Sequence, residues 1–434
     1  MIQRLVLFIL CAGTISFAQE KLSLTIEKAI EIGLQNSKSL HSSQSKVLAS
    51  DAKVGETNTL GLPSLKLNAT YSRLSAVDPF KITLGPTPIE ISPSIFNNYN
   101  VKATVQQPIF TGFKISSAEK IAEYSAEATK HDFKKDAKEL TYNIKNAYWN
   151  LFKAIEFKKV VDENVGQVKA HTKDAENLLA QGMATTNDVL KVQVLLSDAQ
   201  VRQIDAINNV QLSMLSLNNI IGLPLSTEIV LASTIQKTTK NFSDVSNLVK
   251  KAFETRPELL AMDARVKVSE ANVTMNRSGW WPQIALVGNY NYARPNQRIF
   301  PSKDEFKDTW DVSIALSYDI WTWNTTGHQT EQAEAQLTQT NDAMGQLKDG
   351  ITLEVTQNYL NQKQTIERIS VAEKGVQQAE ENYRITNEKY KKGLALNSDL
   401  IDAEVALLQA KLVLTQSLVE SELAEARLSK AIGD

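Results

Sequence analysis

The chain repeats itself at a spacing of about 211 residues, and this repeat limits what it can fold into. The segment LLAQGMATTNDVLKVQ around Gly182 aligns with KYKKGLALNSDLIDAE around Gly393, and Tyr148 aligns with Tyr359 at the same spacing. Repeats that stack into solenoids or propellers are far shorter, at roughly 20 to 50 residues. We therefore expect two copies of one structural half, residues 19–243 and residues 244–434.

The first 18 residues have the pattern of an export signal. Arg4 precedes the apolar run Leu5–Leu10, and small residues lead to Ser16-Phe17-Ala18. This order predicts a secretory signal peptide over residues 1–18, with cleavage after Ala18. The only cysteine, Cys11, lies inside this segment after a bulky leucine, so we expect no lipid anchor and a mature chain without disulfides or thiol chemistry.

The charge balance and the histidines argue against several classes of function. The 47 basic residues nearly match the 49 acidic ones, and no block of like charge gives a reason to expect nucleic-acid binding. His41, His131, His171 and His328 lack the spacing of metal ligands, and we expect each of them at the surface. The sequence has no Gly-rich phosphate loop and no nucleophile elbow. We predict no enzyme activity, no cofactor and no metal site.

Four segments alternate between apolar and polar residues, which predicts strands with one apolar face each. They predict β-hairpins over residues 64–110 and 283–320. One interpretation is an ordinary four-stranded sheet packed on helices. The other is a set of strands that span a membrane, because segments of about ten residues match such a span and aromatic residues lie near their ends. Those aromatic residues are Tyr71, Tyr99, Tyr290, Trp310 and Tyr318.

The Trp280-Trp281 pair stands where a helix is expected to pass into a strand, directly before Pro282. Two large amphipathic rings at such a point are typical of a membrane-interface belt. They also fit the packed end of a helix, and both descriptions can hold together.

Long stretches without proline, with apolar residues every three or four positions, predict the helices. Long helices are expected over 115–181 and 330–392, each followed by a glycine turn and a further helix, over 187–221 and 398–432. Shorter helices are expected near 37–59 and 257–278. Leu400, Val405 and Leu412 cannot share one stripe, so the helix that contains them has apolar seams on two sides, as in a coiled-coil ring.

Several segments together resemble the outer-membrane efflux family, the TolC-like channel proteins. They are TIEKAIEIGLQNSKSL, QQPIFTGFK, RPELLAMDARV and the paired glycine turns, and their order covers essentially the whole mature chain. The resemblance implies a mainly α-helical fold with a membrane β-barrel portion. In a homotrimer each chain would give four strands to a twelve-stranded barrel in the outer membrane, and its helices to an α-helical tunnel in the periplasm.

The strands support oligomerisation independently. Membrane barrels begin at about eight strands, so four strands cannot close alone. An open strand edge in lipid leaves backbone groups without hydrogen bonds. If the strands span the membrane, they must therefore be completed by other copies.

The resemblance also implies a gate at the periplasmic end of the tunnel. Tyr390 matches the family's linking tyrosine, Asp399 and Asp402 match two acidic positions, and Asp188 matches a partner position in the first copy. Ala395 stands where some members carry an arginine of the same network. An alternative is that Asp188 and Asp399 are ordinary acids in the first turn of a helix, where the macrodipole favours them.

Gly182 and Gly393 are expected to end helices in the left-handed conformation and so to allow the hairpin turns. In the family these turns also meet an adaptor protein, which makes them candidate docking points.

The predicted function is a passive exit duct of a tripartite efflux or type I secretion system, gated at its periplasmic end. Its partners would be a periplasmic adaptor (membrane fusion protein), an inner-membrane pump and outer-membrane lipid. The first alternative is a periplasmic coiled-coil adaptor or scaffold of an envelope-spanning complex, which would explain the helices without a membrane role but not the two long hairpins with aromatic ends. A second is an enzyme on a helical scaffold, for which the sequence has no catalytic constellation.

Overall fold

The computed structural model describes residues 22–83, 85–92, 94–233, 235 and 244–434. The predicted signal peptide, 1–18, and the predicted end of the first copy at residue 243 lie outside the described residues. The chain forms two compact units. Unit 1 contains the described residues up to Ser43, with Lys134–Arg256 and Asp349–Asp434, and unit 2 contains Gln44–Phe133 and Pro257–Lys348.

Helices make up most of the chain. They are α1 (Ile26–Asn36), α2 (Lys38–Asn58), α3 (Lys114–Ala180), α4 (Thr186–Ile221), α5 (Val245–Thr255), α6 (Pro257–Arg277), α7 (Thr325–Lys391) and α8 (Asn397–Ala431). The strands are β1 (Leu22–Leu24), β2 (Ser64–Arg73), β3 (Phe80–Thr83), β4 (Pro88–Ser92), β5 (Asn97–Phe110), β6 (Ile229–Leu231), β7 (Gln283–Arg294) and β8 (Lys307–Ser317).

The long helices α3 and α7 each have 67 residues. Of the four helices predicted next to the glycine turns, the three over 115–181, 187–221 and 398–432 differ from α3, α4 and α8 by no more than one residue at each end. The fourth, 330–392, begins too late, since α7 starts at Thr325. Its start is set by Trp323 and Asn324, which both adopt positive φ, at 51° and 60°. Two consecutive left-handed residues cannot belong to a right-handed helix, so the helix can begin only after them. The second hairpin also ends earlier than the predicted residue 320, because β8 ends at Ser317.

Unit 1 has its core around the middle of α3. Tyr148 is fully buried there among Leu24, Ile144 and Leu217. Its hydroxyl donates to the carbonyl oxygen of Leu24 (3.0 Å) and accepts from the backbone N–H of Ser233 (3.2 Å). These bonds attach a parallel pair of short strands, β1 and β6, to the helices.

Unit 2 contains an antiparallel sheet of four strands in the order β2-β5-β7-β8. The two predicted hairpins are joined side by side through β5 and β7, with Val101 opposite Tyr292. The connection from β2 to β5 carries a separate two-stranded sheet, β3 with β4, which the sequence did not indicate.

The strand register separates the two faces of this sheet. Leu67 lies opposite Ala103, and Ala103 lies opposite Tyr290, so apolar residues from neighbouring strands share one face. This face is uncovered in the chain, where Leu67 and Ile314 are 71% and 75% exposed. The interpretation of an ordinary sheet packed on helices therefore does not hold for this face within the described chain.

Among the described residues, none of the helices combines the length and apolar character needed to cross a bilayer.

Candidate functional site

The turn between α3 and α4 is built on a glycine and a capping box. Gly182 has φ 71°, and the N–H of Met183 donates to the carbonyl of Leu178 (2.8 Å), which closes the end of α3. At the start of α4, the N–H of Asp188 donates to Thr185 Oγ1 (3.2 Å), and Asp188 Oδ2 accepts from the N–H of Thr185 (3.0 Å). The turn is therefore fixed at both of its helix ends.

The turn between α7 and α8 repeats this geometry with one difference. Gly393 has φ 70°, and the N–H of Leu394 donates to the carbonyl of Lys389 (2.8 Å). Asp399 Oδ2 accepts from the N–H of Leu396 (3.1 Å). Because leucine has no side-chain acceptor, only half of a capping box can form here. The glycine conformation predicted for both turns is observed.

The acidic positions of the predicted gate divide between two environments. Asp399 and Asp402 are exposed on the first turns of α8. Asp188 is half-buried and, together with Tyr390, lines a cleft of 390 Å³ between the two turns. Asp188 and Asp399 thus hold first-turn capping positions, as in the alternative interpretation, while the carboxylate of Asp402 is free of hydrogen bonds within the described part of the chain.

Next to this cleft lies a buried hydrogen-bond network centred on His171 of α3. His171 Nε2 lies 2.9 Å from Asn397 Oδ1, and His171 Nδ1 lies 3.1 Å from Glu404 Oε2. Asn397 Nδ2 donates in turn to the carbonyl oxygen of Asp188 (3.1 Å). The exposed fractions of His171 and Glu404 are 3% and 1%. The expectation of a surface histidine is therefore wrong for His171, which ties α3 to α8.

The hydrogen bonds fix where protons lie in this network. Since Asn397 Nδ2 is used as a donor, its Oδ1 is the acceptor, and His171 Nε2 must carry a proton. One further proton lies between His171 Nδ1 and Glu404 Oε2, because two lone pairs would otherwise face each other. Both ring nitrogens of His171 therefore take part in hydrogen bonds to α8.

Tyr390 completes the cluster from α7. Its ring packs edge-on against His171 with the ring centroids 5.1 Å apart, and it is 5% exposed. Its hydroxyl makes no hydrogen bond within the described part of the chain, and neither does the second carboxyl oxygen of Glu404. The predicted link through Tyr390 is therefore not made inside this part of one chain.

The electrostatics of the cluster follow from burial and from the surrounding acids. Burial raises the pKa of Tyr390, and the negative charges of Asp188, Asp174 and Glu404 raise it further. The hydroxyl and the backbone N–H of Thr185, both donating to the carboxylate, lower the pKa of Asp188. Asp188 is thus held ionised beside a phenol that is held neutral.

Aromatic residues lie at both ends of the sheet in unit 2. At the hairpin end, Tyr71 lies 4.9 Å from Tyr99 between ring centroids, and Trp310 lies opposite Tyr290 in the register. Trp310 is 70% exposed. These four predicted positions therefore gather on the tip side of the sheet.

At the helix end of the sheet, Trp281 packs edge-on against Phe110 and Phe113, with centroid distances of 6.3 and 6.1 Å. Trp280, Trp281 and Tyr318 are each about half exposed. Trp281 thus combines a packed contact with an exposed ring. Phe110 and Phe113 were not among the residues predicted from the sequence. The exposed pair Trp321 and Trp323 was not predicted either, although the spacing WTW after a strand could have indicated it.

No group of three His, Cys, Asp or Glu side chains within the described ranges could hold a metal ion.

The fold has clear relatives among known proteins. The crystal structure of the outer membrane protein VceC from Vibrio cholerae matches with a TM-score of 0.79 at 18% identity, over 94% of this chain and 96% of that one. In sequence, the outer membrane protein TolC of Vibrio cholerae is 22% identical over 298 residues, which are 68% of this chain and 67% of that protein. The outer membrane efflux protein BepC of Brucella suis is 20% identical over 429 residues, 98% of this chain and 89% of that protein.

These likenesses define the class as that of outer-membrane channel proteins with long helices, a class of channels and not of enzymes. The family described as outer membrane efflux protein matches residues 29–223 and 248–434, and the chain belongs to this family. The protein is located in the outer membrane and acts as a channel for efflux or secretion.

Proposed function

We propose that three copies of the chain assemble into a passive exit duct of a tripartite efflux or type I secretion system. The observation that carries this proposal is the sheet of unit 2, with its exposed apolar face and its unpaired outer edges. The apolar face fits contact with lipid, and the polar face fits contact with water. Within the described chain, β2 and β8 pair on one side only.

The unpaired edges support a trimer. A four-stranded sheet in lipid would leave the backbone groups of β2 and β8 without partners, at a cost of several kcal/mol for each group. Three copies supply twelve strands, enough to close a barrel in which every edge is paired. Two structural halves in each chain would then give six similar units in the assembly.

The aromatic residues support the placement of the sheet. Tyr71, Tyr99, Tyr290 and Trp310 would lie at one membrane interface, and Trp280, Trp281 and Tyr318 at the other. Tyr and Trp are enriched at both interfaces because their rings are apolar and their polar tips reach water. Trp321 and Trp323 would lie at the same interface as Trp280, Trp281 and Tyr318.

The helices would form a periplasmic tunnel, closed near the turns that contain Gly182 and Gly393. Both turns expose apolar side chains, since Met183 is 61% and Leu394 is 73% exposed. Such exposed apolar tips support docking of a periplasmic adaptor, through which the duct would connect with an inner-membrane pump. The pump would supply the energy.

The gate is proposed at the start of α8. Asp399 and Asp402 are three residues apart and share a helix face, so that a threefold assembly would present six carboxylates around its axis. A ring of carboxylates favours cations, disfavours anions and binds blocking multivalent cations. Tyr390 and Asp188 would stand behind this ring at the cleft between the two turns.

Cell fractionation followed by native mass measurement tests the assembly. We expect an outer-membrane trimer, whereas a soluble periplasmic monomer would favour the alternative of an adaptor or scaffold protein. A matched pair of variants sharpens the test. Leu67→Glu places a charge on the apolar face and should block membrane insertion, while Asn68→Glu, one residue along on the polar face, should assemble normally. Equal behaviour of the two variants would contradict the placement of the sheet.

A further inference from the structure

The polar face of the sheet in unit 2 is a continuous hydrogen-bonded surface. Thr104 Oγ1 donates to Asn289 Oδ1 (3.0 Å), and Asn289 Nδ2 donates to Asp311 Oδ2 (2.9 Å), so that one chain of bonds crosses β5, β7 and β8. The register places Lys66 opposite Thr104, and Lys102 opposite Asn68. Since directly opposite residues share a face, both lysines belong to this polar face.

The charges of this face are unbalanced. Asp311 is the one acidic residue that the four strands place on it, and this carboxylate is occupied by the guanidinium of Arg298 at 3.0 Å. Lys307 has Glu305 at 3.9 Å. Within the residues that the structure describes, Lys66 and Lys102 form no ion pair. The polar face therefore carries two ammonium groups without a counter-charge.

The two lysines also lie close together. Asn68 stands two residues after Lys66 on the same strand and directly opposite Lys102. Side chains two residues apart on one strand, and side chains opposite each other on neighbouring strands, are separated by roughly 5 to 7 Å. Both charges therefore act on the same few ångströms of surface around Asn68.

We propose that Lys66 and Lys102 form a basic band on the inner wall of the strand section of the duct, and that this band makes the section favour anionic solutes. The proposal rests on the proposed function, which turns the polar face toward the water-filled interior. In a trimer the band contains six ammonium groups. Their fields add within a Debye length of about 8 to 10 Å and so raise the local concentration of anions along the wall. The anion preference of this band is opposite to the cation preference expected from the carboxylates of Asp399 and Asp402.

A cysteine at position 68 reports the sign of the local potential. The full-length Asn68→Cys chain, assembled in outer-membrane vesicles, is treated separately with a sulfonate-bearing and a trimethylammonium-bearing methanethiosulfonate. The ratio of the two rates reports the potential at the thiol and is independent of how readily the thiol ionises, because the same thiolate attacks the sulfur of both reagents and displaces methanesulfinate from each. The unsubstituted chain gives the blank.

The expected result is a ratio of sulfonate to trimethylammonium rates that is higher than the same two reagents give with a free thiol in solution. Adding Lys66→Gln and Lys102→Gln should lower the ratio of sulfonate to trimethylammonium rates by about tenfold. As a charge-matched control, Lys28→Gln with Lys53→Gln removes two lysines elsewhere, each of which is paired with a neighbouring glutamate, and should leave the ratio unchanged.

The outcomes separate this inference from the proposed function. If the thiol introduced by Asn68→Cys reacts but the ratio of rates is the same with and without the two lysines, the proposal of a basic band is wrong. The proposed function as an exit duct is unaffected by that result. If that thiol is inert to both reagents in the membrane and reacts after denaturation, the polar face does not line a water path, and the proposed function fails with it. A cysteine introduced by Leu67→Cys, at the lipid-facing position, should be inert in every background.

Discussion

His171 Nδ1 and Glu404 Oε2 lie 3.1 Å apart in the interior of unit 1, although 233 residues separate them in the chain. The pair joins α3 to α8 close to the turn where α8 begins. Buried polar groups in such a pair are costly when one partner is lost, because the remaining group keeps its desolvation penalty without its hydrogen bond. The fit of α8 against α3 should therefore depend on this pair.

Removing the carboxyl group of Glu404 should loosen the start of α8. Glu404→Ala leaves His171 buried without its partner, and we expect a loss of about 3 kcal/mol in the free energy of local opening. Glu404→Gln is the matched control, since its amide can donate to His171 Nδ1 at a cost of about 1 kcal/mol. Amide hydrogen exchange in α8 measures both. Equal effects of the two substitutions would contradict this expectation, since they would show that the amide does not replace the carboxyl group as a partner of His171.

Tyr390 separates packing from hydrogen bonding at the same cluster. Because its hydroxyl has no partner within the described part of the chain, Tyr390→Phe should change stability by less than about 0.5 kcal/mol. Tyr390→Ala should cost about 3 kcal/mol or more through the cavity that it leaves. If the hydroxyl instead links neighbouring copies in the assembly, Tyr390→Phe alone will increase the resting conductance in planar bilayers.

The acidic mouth can be tested through ion selectivity. Asp399→Asn combined with Asp402→Asn should reduce the cation preference and the block by divalent cations in planar bilayers. Asp188→Asn removes the half-buried carboxylate at the cleft behind the ring and should leave the selectivity nearly unchanged, because Asp188 is not one of the ring carboxylates themselves. Since the Asp399 carboxylate also caps α8, Asp402→Asn by itself is the cleaner variant. Unchanged selectivity in the double variant would show that Asp399 and Asp402 do not form an acidic mouth. Their roles would then be helix capping and surface charge.

Gly166 inside α3 and Gly182 in the turn after it allow the effect of backbone conformation on stability to be separated from the effect of steric contact. Apart from the adjacent residues and the backbone of its own helix, a Cβ atom at Gly182 or at Gly166 would meet no atom within 4 Å. Gly182→Ala should nevertheless cost about 1 to 2 kcal/mol, since alanine is strained at φ 71°. Gly166→Ala, inside the helix, should stabilise by about 0.5 to 1 kcal/mol. Amide hydrogen exchange at the end and in the middle of α3 measures the change in local stability for each variant. Changes of the same sign in the two variants would contradict the explanation by backbone conformation.

The capping box of α4 should respond to acid. In the folded chain the pKa of Asp188 lies below its ordinary value of 3.8, so its stabilising contribution is complete above that value and is lost as the pH falls through the folded pKa. We expect the first-turn amides of α4 to lose protection below about pH 4. Thr185→Ala removes the hydroxyl donor and should shift this loss to higher pH. Asp188→Asn should remove the pH dependence.

The sequence predicted the features that depend on local patterns. The long helices follow from a period of three to four without proline, the turn glycines from the need for a left-handed residue, and the sheet faces from strict alternation. The start of α7 was placed late because Trp323 is a residue type that rarely adopts positive φ, although Asn324 beside it is of a type that commonly does. The two-copy division and the roles of Asp399 and Asp402 stay predictions.

Other parts of the site depend on contacts that no local pattern reports. In sequence, His171 is indistinguishable from a surface histidine of an amphipathic helix. Only the packing of α8 brings Asn397 and Glu404 to its two nitrogens. The same holds for Tyr148, whose partners Leu24 and Ser233 come from opposite sides of the sequence. The pairing of β1 with β6 spans more than 200 residues in three-residue strands, which are too short to show a period.

The side-chain amide of Asn397 uses its two ends on two different helices, with its oxygen toward His171 of α3 and its nitrogen toward the backbone of Asp188 in α4. A half-turn of this amide would set donor against donor and acceptor against acceptor, so both bonds are lost together. An opening of the turns that rotates this amide would therefore weaken the hold of α8 on α3 and on α4 at the same time, while the pair of His171 with Glu404 would remain as a second polar link to α3.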